Sequence, residues 1–206
     1  MNDKTKSFLG LITILALFVL MSYLVRQNIN FFSNLIGENV MGVFVYIFIT
    51  IVAVVVAPIS MVPLIPLASN LWGWIPAGIF TYLGWASGSF IVFYISRKFG
   101  VPLIKKFISL KEIYKFESKI PKENLFMDLV LLRMIIPVDI LSYALGLFSK
   151  VNFKIYSLTT LIGILPFTFI FSYLGTITLK YQIIGFAAVV ILVAIMHIIW
   201  ETKKQS

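Results

Sequence analysis

A basic and an acidic side chain stand inside an apolar stretch of this chain. Arg133 and Asp139 flank Pro137 in the sequence Arg-Met-Ile-Ile-Pro-Val-Asp, and apolar residues surround them. An ionisable side chain in a lipid bilayer costs about 2.5–3.5 kcal/mol, so it is kept where it faces protein, water or a bound group. A guanidinium pairs with phosphate oxygens, and a carboxylate takes up a proton or binds an amine. The spacing therefore predicts a polar site within an apolar segment.

The same positions make electrostatic sense without a ligand. Arg133 is expected to end one half-helix, where a cation complements the negative end of the helix dipole, and Asp139 to begin the next. Because Pro137 cannot donate an i to i−4 hydrogen bond, we expect the helix to break there. Ser142 and Tyr143 either line a polar path or satisfy backbone groups that the break leaves free. Both interpretations stay open at this point.

The composition indicates an integral membrane protein. The chain has 206 residues, of which 60% are hydrophobic and 12% charged, and its mean hydropathy is +1.01. That leaves too little polar surface to cover a soluble globule. The apolar runs are continuous rather than alternating, which predicts helices instead of barrel strands. We therefore expect an all-α integral membrane protein with a single polytopic domain over residues 1–206.

Residue usage excludes several kinds of site. The chain has no cysteine and one histidine, which excludes disulfides, thiolate metal ligands and a histidine cluster. It also lacks the His-Glu-x-x-His and Gly-x-Ser-x-Gly motifs of zinc and serine hydrolases. We expect no enzyme activity, no cofactor and no metal. The net charge of +9 is explained by the positive-inside rule, so nucleic acid is not an expected partner.

The distribution of basic residues decides between two topologies. The apolar segments are 7–25, 41–58, 76–96, 126–147, 155–175 and 183–200. If all six crossed the membrane, eight basic residues between positions 97 and 122 would lie outside, against the positive-inside rule. The conflict disappears if the second and fourth segments enter the membrane and return to the side from which they came.

This argument predicts four transmembrane helices and two opposed re-entrant helical hairpins. Residues 41–75 enter from outside and turn around Pro58, Pro63 and Pro66, and residues 126–147 enter from the cytoplasm. The N-terminal anchor helix is 7–25, the last helix is 183–200, and both termini are expected to face the cytoplasm. A bacterial plasma membrane is the expected location. Segment 41–58 is nearly long enough to span the bilayer, so a full crossing stays open.

The two predicted hairpins share a short sequence pattern. Pro63 to Gly73 and Pro137 to Gly146 each run from proline through apolar residues and a small polar residue to glycine. A Thr-x-x-Gly sequence follows each, at 81–84 and at 160–163. The pattern predicts an inverted repeat, in which broken helices meet near the bilayer midplane. Chance similarity between two Pro/Gly-interrupted segments is the alternative.

The third apolar segment carries two further features. Gly84 and Gly88 form Gly-x-x-x-Gly, which predicts close helix packing. Arg97 stands at the cytoplasmic end of the segment. It either reaches the interface with its long side chain or contacts a phosphate.

At these residues the chain resembles the DedA-like membrane proteins, also called the VTT-domain or SNARE-associated Golgi protein family. The resemblance covers about residues 58–175. Its motifs are Gly84 to Gly88 with Tyr94-Ile-Ser-Arg97-Lys-Phe-Gly100, Arg133 to Gly146, Gly163-Ile-Leu-Pro166 and Tyr173-Leu-Gly175. It is closer to the yeast-Golgi-like branch, because the first hairpin lacks the acidic residue of the DedA branch and no second arginine follows Pro137.

The resemblance implies a membrane lipid transporter of the flippase or scramblase type. Its cargo is a phospholipid or polyprenyl-phosphate headgroup, its partners are membrane lipids, and a homo-oligomer stays open. The residues expected to bind the headgroup or line its path are Arg97, Arg133, Pro137, Asp139, Ser142, Tyr143 and Gly146, with Pro63, Pro66 and Asn70 from the first hairpin. The alternative functions are a non-catalytic membrane scaffold or assembly factor and, with less support, an intramembrane enzyme.

Overall fold

The computed structural model describes residues 3–37, 39–56, 60–104 and 125–205. Within these ranges the chain forms nine α-helices and one 3₁₀ turn, and no strand. The helices are α1 (Asp3–Gln27), α2 (Ile29–Ile36), α3 (Val40–Val55), α4 (Ile65–Trp72), α5 (Trp74–Ile104), α6 (Leu125–Ile135), α7 (Val138–Phe148), α8 (Phe153–Thr176) and α9 (Leu179–Gln205), and the turn Val62–Leu64 leads into α4. The all-α prediction is confirmed for this part of the chain. Pro58 and most of the basic stretch after Arg97 lie outside the described residues.

Local sequence sets the helix ends. The side chains of Asn39 and Asn152 accept hydrogen bonds from the backbone N–H groups of Gly42 (3.0 Å) and Lys154 (2.9 Å), so asparagine caps begin α3 and α8. Gly73 ends α4 with φ +86°, a backbone conformation that favours glycine. The chain can therefore reverse from α4 into α5 within two residues.

Helices α5 and α8 lie side by side in opposite directions. At one end the rings of Trp74 and Tyr173 are 5.7 Å apart. At the other end Phe93 stacks on Tyr156 with 3.8 Å between the ring centroids. Helices α5 and α8 thus form the antiparallel centre of the fold.

The first hairpin, defined here as residues 40–72, doubles back beside α5. Helix α3 runs parallel to α5, since the hydroxyls of Tyr46 and Thr81 lie 2.7 Å apart and Thr50 and Val54 pack against the next turns of α5. The chain then returns through α4, and the ring of Trp72 lies 5.7 Å from that of Tyr46. The segment therefore ends at the level where it began.

The second hairpin, defined as residues 125–148, breaks between α6 and α7. Helix α6 ends at Ile135 and α7 begins at Val138, so the break predicted at Pro137 is confirmed. Leu129 of α6 shares a buried cluster with Tyr156, near the start of α8. Because Ser149 and Val151 then lead directly into α8, this segment also returns to its starting level.

Each hairpin uses both long helices. The first helix of each hairpin packs along the long helix that follows that hairpin in sequence: α3 along α5, and α6 along α8. The return helices cross over: α4 packs against α8 as well as α5, and α7 packs against α5. The two halves of the fold are thereby interlocked.

The outer surface of the bundle is apolar. Phe44 and Phe48 of α3 are 64% and 65% exposed, and Ile183 of α9 is 65% exposed. By length and composition two helices can cross a membrane, Trp74–Pro102 and Phe153–Thr176. A third results if Thr13–Gln27 and Ile29–Ile36, bent by 95°, form one span. Apolar surface of this extent is typical of an integral membrane protein.

Candidate functional site

Arg133 lies in the last turn of α6 and is 4% exposed. Its Nη1 donates to the carbonyl of Val138 (2.8 Å) and to Oγ of Ser142 (2.8 Å). Ser142 is fully buried and in turn donates to the carbonyl of Val138 at 2.5 Å. Arg133 therefore bridges the break between α6 and α7.

The rest of the guanidinium is unpaired within the described structure. Nε and Nη2 of Arg133 are buried and have no hydrogen-bond partner among the described residues. Their N–H bonds form the two-pronged edge that pairs side by side with carboxylate or phosphate oxygens. A buried donor without a partner costs about 1–3 kcal/mol, and more when it is charged. This edge is the strongest indication of a ligand in the described part of the fold.

Two residues of α8 shape the space around Arg133. The guanidinium carbon lies 4.9 Å from the ring centroid of Tyr156, a cation–π distance. A side chain at Gly163 would place its Cβ 2.5 Å from Cβ of Arg133, so only glycine permits this approach. The sequence alone does not predict the contact between Tyr156 and Arg133. The glycine of the Thr160-x-x-Gly163 pattern was a signal that another helix approaches α8 closely at Gly163.

The carboxylate predicted to accompany Arg133 is in the first turn of α7. Asp139 is half-buried and lies one helical turn before Tyr143. Pro137, exposed at the break, supplies the carbonyl that accepts the Leu141 N–H (3.1 Å). A basic and an acidic residue thus flank the break, as the sequence indicates.

Tyr143 joins the two hairpins. Its side chain is 1% exposed, and its hydroxyl donates to the carbonyl of Val55 at 2.5 Å. Val55 is the last residue of α3, so its carbonyl has no intrahelical partner. The C-terminal end of α3, in the first hairpin, therefore contacts α7 of the second hairpin, one helical turn from Asp139.

Other predicted residues lie away from Arg133. Gly146 packs on α5, where a Cβ would lie 2.5 Å from Cβ of Ser96. Arg97 donates to the carbonyls of Ser149 (2.7 Å) and Val151 (2.6 Å), and its guanidinium carbon lies 4.3 Å from the Phe93 ring centroid. Arg97 thus stabilises the far end of α7, about 16 Å along that helix from the break.

The first-hairpin residues lie at the opposite end of α8. Asn70 donates from Nδ2 to the carbonyls of Gly175 (3.0 Å) and Pro66 (2.7 Å). Pro66 packs closely on Gly175, and Pro63 is in the 3₁₀ turn before it. The structure therefore does not bring Pro63, Pro66 and Asn70 to Arg133.

Gly84 and Gly88 lie where α3 and α5 approach each other. A Cβ on Gly84 would lie 2.7 Å from Cβ of Thr50, and one on Gly88 would lie 2.8 Å from Cβ of Val54. This is the close packing that the Gly-x-x-x-Gly pattern predicts. In the described residues no group of three His, Cys, Asp or Glu side chains can hold a metal ion.

The comparisons with known proteins identify the family. A family model described as the VTT domain matches residues 13–177, which is most of the chain. No curated protein and no solved structure matches it. The matched range contains both hairpins, α5, α8 and the whole Arg133 site. The chain therefore belongs to the VTT-domain family of membrane proteins.

Proposed function

We propose that this protein is a flippase or scramblase that moves the phosphate-bearing headgroup of a phospholipid or polyprenyl phosphate between leaflets. The single observation that carries the proposal is the unpaired Nε–Nη2 edge of Arg133. A phosphate presents two oxygens at the spacing of this edge. Arg133 binds the phosphate in transit, and Asp139 binds a headgroup amine or takes up a proton.

The packing supports the predicted topology. Two chain segments that double back beside opposite ends of an antiparallel helix pair, with exchanged return helices, fit two opposed re-entrant hairpins in an inverted repeat. With α1, α5, α8 and α9 as four spans, both termini face the cytoplasm of a bacterial plasma membrane. The Tyr143–Val55 contact then lies where the hairpins meet within the bilayer.

The absence of a carboxylate in the first hairpin bears on energy coupling. Residues 41–72 contain no Asp or Glu, and the position that packs on Gly84, as Arg133 packs on Gly163, is Thr50. The charged site is therefore confined to the second hairpin. This asymmetry supports the yeast-Golgi-like branch and passive exchange, without enzyme chemistry.

In this conformation protein atoms shield the unpaired edge of Arg133 from solvent. Nε and Nη2 of Arg133 are buried from solvent, so a headgroup reaches them only after the surrounding helices separate. The hydrogen bond from Tyr143 to Val55 holds the two hairpins together beside the site. Separation of the hairpins is therefore the opening step of the proposed cycle.

Leaflet exchange in vesicles tests the proposal. Purified protein is reconstituted with a labelled phospholipid or a labelled polyprenyl phosphate, and the exchange rate is measured for the wild type, Arg133→Ala, Arg133→Lys and Lys154→Ala. We expect Arg133→Ala to abolish exchange and Arg133→Lys to retain part of it, because lysine keeps the charge but not the fork. Lys154 is exposed, so Lys154→Ala is the matched control for loss of one positive charge. Wild-type protein that exchanges neither lipid refutes the proposal.

The scaffold alternative predicts a different result for Arg133→Leu. A scaffold acts through its surface and its fold, so an Arg133→Leu scaffold should still function if it inserts into the membrane. An Arg133→Leu transporter loses its contact with the headgroup and should no longer exchange lipid. Insertion is checked by the amount of monodisperse protein recovered from membranes.

A further inference from the structure

A second group of polar side chains lies where α1 ends and α9 begins. Nη2 of Arg26 donates to the carbonyls of Gly175 (3.3 Å) and Ile177 (2.5 Å). Nε2 of Gln182 donates to the same Ile177 carbonyl at 3.1 Å. We call this group, Ser22, Arg26 and Gln182, the Arg26 seam. It lies at the end of α8 opposite the end that Arg97 contacts.

The seam contains three polar atoms without a hydrogen-bond partner among the described residues. They are Oγ of Ser22, Nε of Arg26 and Oε1 of Gln182. Ser22 and Gln182 are fully buried, whereas Arg26 is part-buried. Nε is a donor and Oε1 is an acceptor. A ligand that combines an anionic oxygen with an N–H or O–H group would pair with both.

The seam lies directly beside an apolar layer. Phe18, one turn before Ser22, contacts Phe171 of α8 (6.2 Å between centroids) and Phe186 of α9 (5.0 Å). The 24 residues of α8 that separate the Arg26 end from the Arg97 end span about 36 Å. A bilayer's hydrocarbon core is about 30 Å thick. The seam therefore lies at the depth of a headgroup, with hydrocarbon on one side of it.

Helix α9 has an open apolar groove on each side. The groove between α8 and α9 has a volume of about 790 Å³ and includes Ile177, Tyr181 and Ala188. The groove between α1 and α9 has a volume of about 620 Å³ and includes Ala16, Tyr23 and Leu179. Both grooves begin beside the Arg26 seam. A polar group with two apolar grooves leading away from it matches the shape of a diacyl phospholipid, which has one headgroup and two acyl chains.

We propose that the Arg26 seam binds one diacyl phospholipid, with its phosphate on Arg26, an N–H or O–H donor of its headgroup on Gln182, and an acyl chain in each groove. A small outward movement of α9, which the open grooves permit, brings the headgroup donor to Oε1 of Gln182. The site is separate from Arg133. The proposal does not depend on whether the protein exchanges lipids between leaflets.

Native mass spectrometry tests the headgroup. Protein purified in detergent is titrated with phosphatidylethanolamine, phosphatidylglycerol and phosphatidylcholine that carry identical acyl chains. We expect one retained molecule of the first two, and weak retention of the third, because choline has no N–H or O–H group for Gln182. Gln182→Leu should remove this preference. Equal retention of all three lipids by the wild type overturns the proposal.

Matched variants test the phosphate and the grooves. Arg26→Gln should weaken retention about 10- to 100-fold, the effect of losing a charge-assisted hydrogen bond. Lys180→Gln, an exposed loss of the same charge in the first turn of α9, should not. Ala16→Phe and Ala188→Phe fill one groove each, and each should lower retention without touching the seam. If Arg26→Gln does not fold, these two variants decide; unchanged retention in both refutes the site.

Discussion

Replacing Tyr143 with phenylalanine isolates the contact between the hairpins. The substitution removes one hydroxyl and keeps the ring that fills a site exposed by only 1%. The lost interaction is the 2.5 Å hydrogen bond to the carbonyl of Val55. In the closed conformation that carbonyl then has no donor, while in an open, hydrated conformation water replaces the hydroxyl.

The size of the effect follows from the net value of one hydrogen bond. Such a bond contributes about 0.5–1.5 kcal/mol, so its loss raises the ratio of open to closed molecules about 2- to 13-fold. We expect the lipid exchange rate of Tyr143→Phe to rise by the same factor if separation of the hairpins limits the rate. The wild-type tyrosine would then slow transport while stabilising the fold.

The assay compares exchange rates in vesicles with thermal unfolding in detergent. Tyr46→Phe is the matched control, since its hydroxyl lies 2.7 Å from that of Thr81 and joins α3 to α5 rather than the two hairpins. It should lower the melting temperature to a similar extent and leave exchange unchanged. If Tyr143→Phe exchanges lipid no faster than the wild type at equal amounts of folded protein, the inference that separation of the hairpins limits the rate is refuted.

Two further predictions concern packing and topology. Gly163→Ala should destabilise the fold by about 1–3 kcal/mol, because its Cβ would lie 2.5 Å from Cβ of Arg133. Gly185→Ala is the control and should cost less, because its Cβ would meet only the flexible end of the Leu174 side chain. Thermal unfolding in detergent measures both variants, and equal losses of stability contradict the argument. Single cysteines at Val45 and Asn70 should react with an impermeant reagent from outside, and those at Leu110 and Lys150 only from the cytoplasm; labelling of position 110 from outside overturns the hairpin topology.

The breaks in the fold were readable from the sequence. Pro137 has no N–H to donate, and α6 and α7 separate on either side of it. The re-entrant course of residues 41–75 is predicted from basic residues far along the chain, since a full crossing would place them outside, and it stays a prediction. Both inferences depend on local chemistry or on charge, which a single sequence displays directly.

The partners of the charged residues were not readable. Arg133 meets Tyr156 and Gly163 because α6 packs along α8; the Thr160-x-x-Gly163 pattern marks a close approach but not which helix makes it. Asn70 and Pro66 were grouped with Arg133 by analogy between the hairpins, yet the exchanged return helices carry them to Gly175. The 95° bend between α1 and α2 was also missed. Each of these outcomes depends on tertiary packing.

The exchange of the return helices also constrains biosynthesis. Helix α4 ends at Trp72, but its partner α8 begins only at Phe153, about 80 residues later. At a translation rate of roughly 5–20 residues per second, α4 waits about 4–16 seconds for that partner. During this interval, of the described helices that contact α4, only α1, α2 and α5 are available for it to pack on. We therefore expect a truncated N-terminal half to be a substrate for quality control rather than a smaller version of the protein.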